Sequence, residues 1–565
     1  MNEHAILHIP ESRYCFPLDN NKLIIRLRLS KQDEIDKVEL IYESKYRFQQ
    51  LQQEISMERK YEDALFAYYE IMLEVMDTRL AYIFRIWEKG KERYFSEDGI
   101  TEDYNFELGY FNFFQLPYIN DADIHREVPW MEEAIFYQIF VDRFYKGKEN
   151  KNESYINLEW GEKPASKSFA GGDIPGITKK LDYIKEMGVN TLYLTPVFQS
   201  ISNHKYDISD YQRIDEQFGT NEDFAMLVKQ AHKNGMRIVM DAVFNHSSDR
   251  LPQFQDVVKR GKESPYFDWF IIEGEKPDKE TLNYEVFAFC NYMPKFDTSN
   301  PQVQEFLLDI AVWWIEKYDI DGWRLDVSDE VSHDFWRKFR KRVKAVKSDC
   351  VIIGENWHDA NSFLQGDQYD SIMNYAFTKA CLDYYAFDDF SAKELAEKLN
   401  HLLMRNTWQV NRMMLNLLDS HDTERFYTRV DKNKDKVLSA IALMCMFVGV
   451  PCIYYGTEIL TEGGYDPDSR RCFDWNQDNW DKDFKEILSG ILGLRTEEAV
   501  KKGEIRISAA RGLLCLKRFW GQEEITIYTN QSNKAVAFEA EGNVLIENNY
   551  NNGLLHQDGF IVVKR

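Results

Sequence analysis

The sequence predicts an α/β protein whose centre is a (β/α)8 TIM barrel, preceded and followed by β-sandwich domains. Between residues 134 and 460, eight short apolar runs alternate with segments of helical periodicity, which is the pattern of a barrel. The chain on either side alternates polar and apolar residues at the two-residue period of strands. One connection, after the third apolar run, is about fifty residues long and too long for a simple loop. These observations predict a barrel with a small inserted domain after its third strand.

The expected domain boundaries follow these changes of pattern. Residues 1–122, with the alternating runs KLIIRLRLS and DKVELIYES, are predicted to form the N-terminal β-sandwich. Residues 123–502 are expected to hold the barrel, with the inserted domain at 247–299. Residues 503–565, with the run GEIRISAARGLLCLKRFW, are expected to form the C-terminal β-sandwich. A chain of 565 residues is too long for one hydrophobic core, which agrees with several domains.

The composition excludes several classes of partner. A net charge of −24 makes nucleic acid and anionic membranes poor partners, because both require a basic surface. No stretch approaches the 18 or so apolar residues of a transmembrane helix. Aromatic residues make up 15% of the chain. Exposed rings beside carboxylates suit a neutral, polyhydroxylated ligand such as a sugar.

Two features indicate the cytoplasm. The N-terminal stretch MNEHAILHIPESRY has neither the basic nor the apolar region of a signal peptide. The eight cysteines are scattered without CxxC or CxxH spacing, and several lie within apolar runs. We therefore expect reduced thiols, no zinc site and a cytoplasmic protein.

Charged residues at the ends of the apolar runs form a candidate catalytic cluster. In the stretch DGWRLDVSDE, Arg324 stands two residues before Asp326, so both point to the same face of a strand. Alone, such a pair is more often a satisfied ion pair of the core. The carboxyl ends of barrel strands meet at one rim, however, where catalytic residues collect. Polar residues also end or follow the second, third, fifth and seventh runs: His204, Tyr206 and Asp207; Asp241, Asn245 and His246; Glu355; and Asp419, His421 and Asp422.

Several of these stretches resemble a known enzyme family. DAVFNH, GWRLDVSDE, GENWH and NLLDSHDTER resemble, in order, the four main conserved blocks of the α-amylase superfamily of glycoside hydrolases. SNHKYDISDY, MPKFD and GVPCIYYGTEILTEGGYDPDSRR are similar to its neopullulanase, cyclomaltodextrinase and maltogenic amylase group, whose members carry a β-rich N-terminal domain. The resemblance spans essentially the whole chain. It implies a retaining enzyme for α-1,4-glucosidic bonds of maltodextrins and cyclodextrins, and leaves pullulan cleavage and transglycosylation open.

The resemblance also implies roles for the residues of the cluster. Asp326 is expected to be the nucleophile, Glu355 the general acid and base, and Asp422 the group that stabilises the transition state. Arg324 is expected to keep Asp326 ionised, because a neighbouring positive charge favours the carboxylate. Tyr206 is expected to stack beneath a sugar ring. The implied substrate-binding residues are His204, Tyr206, Asp241, His246, Arg324, His421, Asp466 and Arg470, with Phe289 and Trp357 on the aglycone side.

No cofactor is expected. Many relatives bind calcium through asparagine and aspartate residues near the first barrel loop. Here that stretch reads YKGKENKN, which places Lys146, Lys148 and Lys151 where oxygen ligands are expected. Ammonium groups cannot ligate a hard cation. Gly171 and Asp173 match the remaining ligand positions, so we expect a lysine to replace the ion as the partner of Asp173.

Other departures from the group concern specificity. Asp329 stands where asparagine is typical, Phe296 and Asp297 where leucine and asparagine are typical, Thr457 where an acid is typical, and Asn356 where a larger apolar residue is typical. Asp329 and Asp297 are expected to add carboxylates near the site. None of these departures replaces a catalytic side chain, so the chemistry is expected to be retained.

The sequence leaves alternatives open. The same chemistry serves a plain α-amylase or an α-1,6-glucosidase. A different class would be a non-catalytic maltodextrin-binding protein, although such proteins usually lack the nucleophile or the acid. The N-terminal domain could also act as a starch-binding module. In the group that this chain resembles, that domain commonly covers the partner's active site, so we expect a homodimer with an oligosaccharide substrate.

Overall fold

The N-terminal part of the chain forms two antiparallel sheets that enclose a common core. The computed structural model describes residues 1–565. Its first ten strands are β1 (Cys15–Pro17), β2 (Lys22–Ser30), β3 (Ile35–Ser44), β4 (Gln53–Ser56), β5 (Glu58–Glu62), β6 (Phe66–Glu74), β7 (Leu80–Glu88), β8 (Lys91–Ser96), β9 (Gly99–Thr101) and β10 (Phe114–Leu116). One sheet has the order β1-β2-β6-β5, and the other β4-β3-β7-β8-β9 with β10 beside β7. Leu27 of the first sheet and Phe84 of the second belong to one buried cluster.

Eight parallel strands form the barrel, and they follow one another around it in chain order. The strands of this region are β11 (Phe136–Ile139), β12 (Thr191–Leu194), β13 (Phe198–Ser200), β14 (Ile208–Ile214), β15 (Arg237–Ala242), β16 (Gly322–Leu325), β17 (Val351–Gly354), β18 (Ser371–Ile372), β19 (Leu415–Leu417) and β20 (Val450–Tyr454). The sheet order is β18-β17-β16-β15-β12-β11-β20-β19, while β13 and β14 form a separate hairpin. A parallel bridge between Met373 and Leu415 joins the two edges. Each predicted apolar run contributes one barrel strand, so the predicted barrel is confirmed.

The chain has thirteen α-helices, most of which cover the outside of the barrel. They are α1 (Ile174–Lys179), α2 (Leu181–Glu186), α3 (Asn221–Lys233), α4 (Pro252–Arg260), α5 (Pro301–Tyr318), α6 (His333–Val346), α7 (Tyr375–Tyr385), α8 (Ala392–Met404), α9 (Trp408–Met413), α10 (Phe426–Arg429), α11 (Lys434–Met446), α12 (Lys482–Gly493) and α13 (Glu498–Lys502). Local sequence sets their ends: the Asn300 side chain caps α5, Pro301 occupies its first turn, and Asp319 ends it with a φ of 55°. None of the helices combines the length and the apolar character that a membrane crossing requires.

The long connection after β15 forms the small inserted domain. It contains α4 and is otherwise held by isolated bridges, including His246 with Lys295 and Phe270 with Phe296. The bridge from His246 to Lys295 ties the end of this segment to the chain just after β15, which ends at Ala242. The inserted domain therefore stands directly at the rim of the barrel.

The C-terminal part forms one antiparallel sheet. Its strands are β21 (Glu504–Ala510), β22 (Leu513–Trp520), β23 (Glu523–Thr529), β24 (Val536–Ala537), β25 (Asn543–Asn551) and β26 (Leu554–Lys564). Hydrogen bonds join all six strands, in the order β21-β22-β23-β26-β24 with β25 beside β26. Leu514 and Ile527 on one face belong to the main core of the barrel, whereas Leu555 and Ile561 belong to a small separate cluster. The predicted C-terminal β-domain is thus confirmed as an antiparallel-sheet domain.

Candidate active site

One arginine lies between three carboxylates at the rim of the barrel. The Arg324 side chain, only 1% exposed, places Nη1 at 2.7 Å from Asp326 Oδ1 and at 2.9 Å from Asp241 Oδ1. Its Nη2 lies 3.0 Å from Glu355 Oε2. Arg324 of β16 is the direct neighbour of Asp241 in β15, and Glu355 follows β17, so three adjacent strands deliver these groups.

The charges of this cluster do not balance if every carboxyl group is ionised. Burial raises the pKa of Asp326 well above its ordinary value, and Arg324 opposes that rise. Burial likewise raises the pKa of Asp241 to about 6, although the nearby positive charge of Arg324 acts to lower it. One guanidinium beside Asp241, Asp326 and Glu355 leaves two uncompensated negative charges in a buried site. The cluster as a whole therefore favours holding a proton near neutral pH, and it offers a proton donor and a carboxylate side by side.

Glu355 is held by groups on two sides. The Val327 backbone N–H donates to Glu355 Oε2 at 2.9 Å, and the Trp357 indole N–H donates to Oε1 at 3.2 Å. Trp357 in turn stacks on Tyr375 with ring centroids 3.7 Å apart and planes 3° from parallel. Val327 adopts a left-handed φ of 45°. That conformation is strained for a β-branched residue, and it lies directly beside the cluster.

A hydrogen-bonded chain runs from the barrel interior to Asp241. The Gln138 amide Nε2 lies 2.7 Å from His421 Nδ1, and His421 Nε2 lies 2.5 Å from Tyr206 Oη. Tyr206 Oη donates to Asp241 Oδ2 at 3.0 Å, and His421 Nε2 also lies 3.1 Å from Asp422 Oδ2. Burial lowers the pKa of His421 well below its ordinary value. With Gln138 donating to Nδ1, the proton of the neutral ring lies on Nε2.

Two further histidines are held in the neutral form. Burial lowers the pKa of His204 to about 3 and that of His246 to about 3. The Tyr206 backbone N–H donates to His204 Nδ1 at 3.1 Å. The His246 ring stacks on Phe287 with centroids 4.8 Å apart, and His246 Nε2 has no hydrogen-bond partner within the protein. A buried polar atom without a partner is rare, and a ligand hydroxyl could supply one.

A second arginine, Arg470, joins two further acids. Arg470 places Nη1 at 2.9 Å from Asp466 Oδ1 and Nη2 at 3.3 Å from Asp422 Oδ1. Its Nε donates to the His421 backbone carbonyl at 2.9 Å. Asp466 and Asp422 are thereby oriented by a common, largely buried cation.

These groups surround a cleft of about 520 Å³, which is within the usual range for small-molecule sites. Asp241, Arg324 and His421 do not line the cleft and lie among its supporting contacts. Phe289 is 97% exposed and is not part of the wall. The remaining predicted site residues line it: His204, Tyr206, His246, Asp326, Glu355, Trp357, Asp422, Asp466 and Arg470.

Sequence reasoning missed part of the wall. Phe287, Cys290, Tyr292 and Met293 of the inserted domain line the cleft. Their proximity to the MPKFD stretch was the available signal, but a loop sequence does not show which side chains turn inward. Phe289 was predicted to contact the aglycone side, but its side chain points to solvent and does not line the cleft.

Of the departures from the family pattern, only Asp329 lines the cleft. Partial burial raises the pKa of Asp329, and the neighbouring Glu330 and Glu355 add to this. Asp297 instead accepts hydrogen bonds from Ser299 on the turn before α5. The expectation that Asp297 adds a carboxylate near the site is therefore wrong, because its side chain is used within its own turn.

Comparisons with known proteins agree with this geometry. A family model described as the alpha amylase catalytic domain matches residues 138–493, and one described as the alpha amylase N-terminal ig-like domain matches residues 1–120. The chain is 40% identical over 504 residues to the intracellular maltogenic amylase of Bacillus subtilis, covering 88% of this chain and 85% of that protein. It is 39% identical over 509 residues to neopullulanase 2 of Thermoactinomyces vulgaris, covering 89% and 86%. The solved structure of a cyclomaltodextrinase matches with a TM-score of 0.91 and 33% identity, covering 100% of this chain and 98% of that one.

Proposed function

This chain belongs to the α-amylase family of glycoside hydrolases, and from that premise we propose that it cleaves α-1,4-glucosidic bonds of maltodextrins and cyclodextrins with retention of configuration. The observation that carries the proposal is the contact of Asp326 and Glu355 with one guanidinium, at 2.7 and 3.0 Å from Arg324. This shared contact supports the spacing of ~5–5.5 Å between carboxyl groups that retaining enzymes use, rather than the ~6.5–9.5 Å of inverting enzymes.

In the first step, a carboxylate oxygen of Asp326 attacks the anomeric carbon while Glu355 protonates the leaving glycosidic oxygen. Glu355 becomes a carboxylate as it gives up this proton. The N–H groups of Val327 and Trp357, at 2.9 and 3.2 Å from its oxygens, stabilise that developing charge.

In the second step, Glu355 removes a proton from a water molecule, whose oxygen attacks the anomeric carbon and releases Asp326. The sugar hydroxyls of an acceptor can take the place of this water, which would give transglycosylation. We assign to Asp422 the stabilisation of the positive charge on the sugar ring in both transition states. Its position is fixed by Arg470 and His421, at 3.3 and 3.1 Å.

The remaining cleft residues would bind sugar. His204 and His246 are neutral, so each can donate or accept a hydrogen bond with a hydroxyl. We assign the stacking surface for the reacting sugar to Tyr206 and the adjacent sugar on the non-reducing side to Asp466 with Arg470. Trp357, stacked on Tyr375, would contact the aglycone side.

We also propose that the enzyme works in the cytoplasm as a homodimer. All eight cysteines are free, which suits a reducing compartment, and the relative from Bacillus subtilis is named as intracellular. The N-terminal domain exposes Leu108, Tyr110 and Phe111 by 53%, 54% and 71% within one short helical segment. An exposed apolar patch of this kind supports a second copy of the chain as its cover.

The proposal is tested by product stereochemistry and substrate choice. We would follow the anomer released from maltotriose by NMR and compare initial rates on β-cyclodextrin and soluble starch. The α-anomer should appear first, and cyclodextrin should be hydrolysed faster than starch if a partner narrows the cleft. Initial release of the β-anomer would contradict the retaining mechanism. Faster starch hydrolysis would instead indicate an open cleft and an ordinary α-amylase.

A further inference from the structure

We propose that the Lys151 ammonium group is a built-in cation that replaces the calcium ion expected from the family and fastens the loop after the first barrel strand. Lys151 Nζ lies 2.7 Å from the Gly171 carbonyl oxygen and 3.4 Å from that of Gly172. It also lies 3.2 Å from Asp173 Oδ2, and the two side chains are only 5% and 0% exposed. An ammonium group has three donors, and these three oxygens are their acceptors.

The residues present do not fit a calcium ion. Calcium takes six to eight oxygen ligands at about 2.3–2.6 Å, but these oxygens already face a positive charge. The Asp173 carboxylate is also fully used. Its Oδ1 accepts from the N–H groups of Gly147 and Gly176 at 2.9 and 2.8 Å, and its Oδ2 accepts from that of Lys148 at 3.2 Å. No group of three or more His, Cys, Asp or Glu side chains in the chain is arranged to hold a metal ion.

Only one of the three lysines of the YKGKENKN stretch occupies this position. Lys148 reaches outward to Asp223, with Nζ at 3.6 Å from Oδ2 and a side chain that is 39% exposed. Lys146 extends beside Gly171, since a Cβ built there would lie 3.3 Å from its Cε. Gly171 itself has a φ of 89°, and that Cβ would collide with Ile156 at 2.4 Å. A side chain at Gly171 would therefore disturb the backbone whose carbonyl accepts from Lys151.

The loop that Lys151 fastens also supports the cleft. The Ser168 carbonyl, in this loop, accepts from Arg143 Nη2 at 2.5 Å and from Asn203 Nδ2 at 2.7 Å. Asn203 precedes His204, and Arg143 Nη1 donates to the Arg470 carbonyl at 2.8 Å. Lys151 is therefore a positioning residue for the cleft wall that carries His204 and Arg470.

The test compares Lys151→Ala with Lys148→Ala, a matched control that removes an exposed lysine of the same loop. In wild type, the melting temperature should be the same in EDTA and in millimolar calcium chloride, and calorimetry should detect no calcium binding. Lys151→Ala should melt at least about 3 °C lower, and propylammonium, which matches the deleted part of the side chain, should restore part of this difference. Its KM for maltotriose should rise more than its kcat falls, whereas Lys148→Ala should resemble wild type.

Saturable calcium binding that raises the wild-type melting temperature would overturn the proposal without any variant being made. So would a Lys151→Ala variant that behaves like Lys148→Ala. If Lys151→Ala does not fold, the wild-type calcium titration still decides the question. The thermal measurements do not depend on the substrate, so they separate this proposal from the proposed glycosidase activity.

Discussion

The charges around Arg324 predict that Asp326→Asn abolishes activity without destabilising the protein. Asparagine matches aspartate in size but cannot form the covalent bond to sugar that the proposed mechanism requires. In enzymes whose catalytic nucleophile is removed, kcat falls by up to about 10⁶-fold, and we expect a loss of at least about 10⁴-fold here. The release of reducing sugar from β-cyclodextrin measures this loss.

The effect on stability follows from the contacts. The nearest atoms of Asp326 and Arg324 lie 2.7 Å apart, and for charge centres about 4 Å apart their attraction is worth about 4 kcal/mol at an effective dielectric constant of about 20. Asp241 and Glu355 contact the same guanidinium, and an ionised one about 5 Å away repels Asp326 by about 3 kcal/mol. With one of them ionised, the lost attraction and the relieved repulsion differ by only about 1 kcal/mol. The melting temperature of the variant should therefore stay close to that of wild type.

The pH dependence of this difference has a definite sign. Because burial raises the pKa values of both Asp241 and Asp326, the folded cluster keeps a proton that its carboxyl groups release above pH ~4 in the unfolded chain. The wild type therefore loses stability as the pH rises from that value, and the variant, which has one carboxyl group fewer in the cluster, loses less. Measured by thermal unfolding, the melting temperature of Asp326→Asn relative to that of wild type should be higher at pH 8 than at pH 5.

Asp297→Asn is the matched control, because Asp297 is outside the cleft and its hydrogen bonds to Ser299 can be kept by an amide oxygen. It should retain wild-type kcat. A residual kcat above about 1% in Asp326→Asn would mean that another group is the nucleophile. A melting temperature lowered by more than about 10 °C would refute the charge balance proposed for the cluster.

Three further predictions concern other residues. Glu355→Ala should lose most activity on maltodextrins but less on an α-glucoside whose leaving group is an acidic phenol, because such a group leaves without being protonated. Azide should restore turnover by forming an α-glycosyl azide, and absence of this rescue would argue against Glu355 as acid and base. Trp357→Phe keeps the ring but removes the N–H that contacts Glu355, so kcat should fall about tenfold, the effect of about 1.4 kcal/mol, with little change in KM; an unchanged kcat would contradict this role. Burial lowers the pKa of His125 to about 4, so the folded state excludes a proton that the unfolded chain binds below pH ~6.5, and stability is lost as the pH falls, by up to about 3 kcal/mol near pH 4. Between pH 7 and pH 5 the melting temperature of wild type should therefore fall more than that of His125→Leu. A difference between the two proteins that stays constant over this range would contradict a lowered pKa for His125.

The fold could be predicted largely from sequence because its signals are local. Each barrel strand is a short apolar run, and each change between strand and helix is a change of period that a few residues reveal. That Arg324 and Asp326 point to the same face could also be predicted, since residues two apart in a strand share a face. Which residues lie against that face could not be predicted. The contact of Arg324 with Asp241 and Glu355 depends on the register of three strands that are distant in the chain.

Loops show the same limit more clearly. Phe287 and Tyr292 of the inserted domain line the cleft, whereas Phe289 points to solvent at 97% exposure. All three are aromatic residues within six positions, and nothing in their local pattern distinguishes them. Their directions depend on bridges such as that from His246 to Lys295, which form only when the loop returns to the barrel.

By itself, the sequence determined the order of the domains, the eight barrel strands and the chemical types of the residues that end them, because these depend on periodicity and side-chain identity within short segments. Only the tertiary structure decided which charges meet. It brings three carboxylates to one guanidinium, and it selects Lys151 from three nearby lysines as the partner of Asp173. The physical reason is that burial and the pairing of charges are set by contacts between distant segments, and no short stretch of the chain contains them.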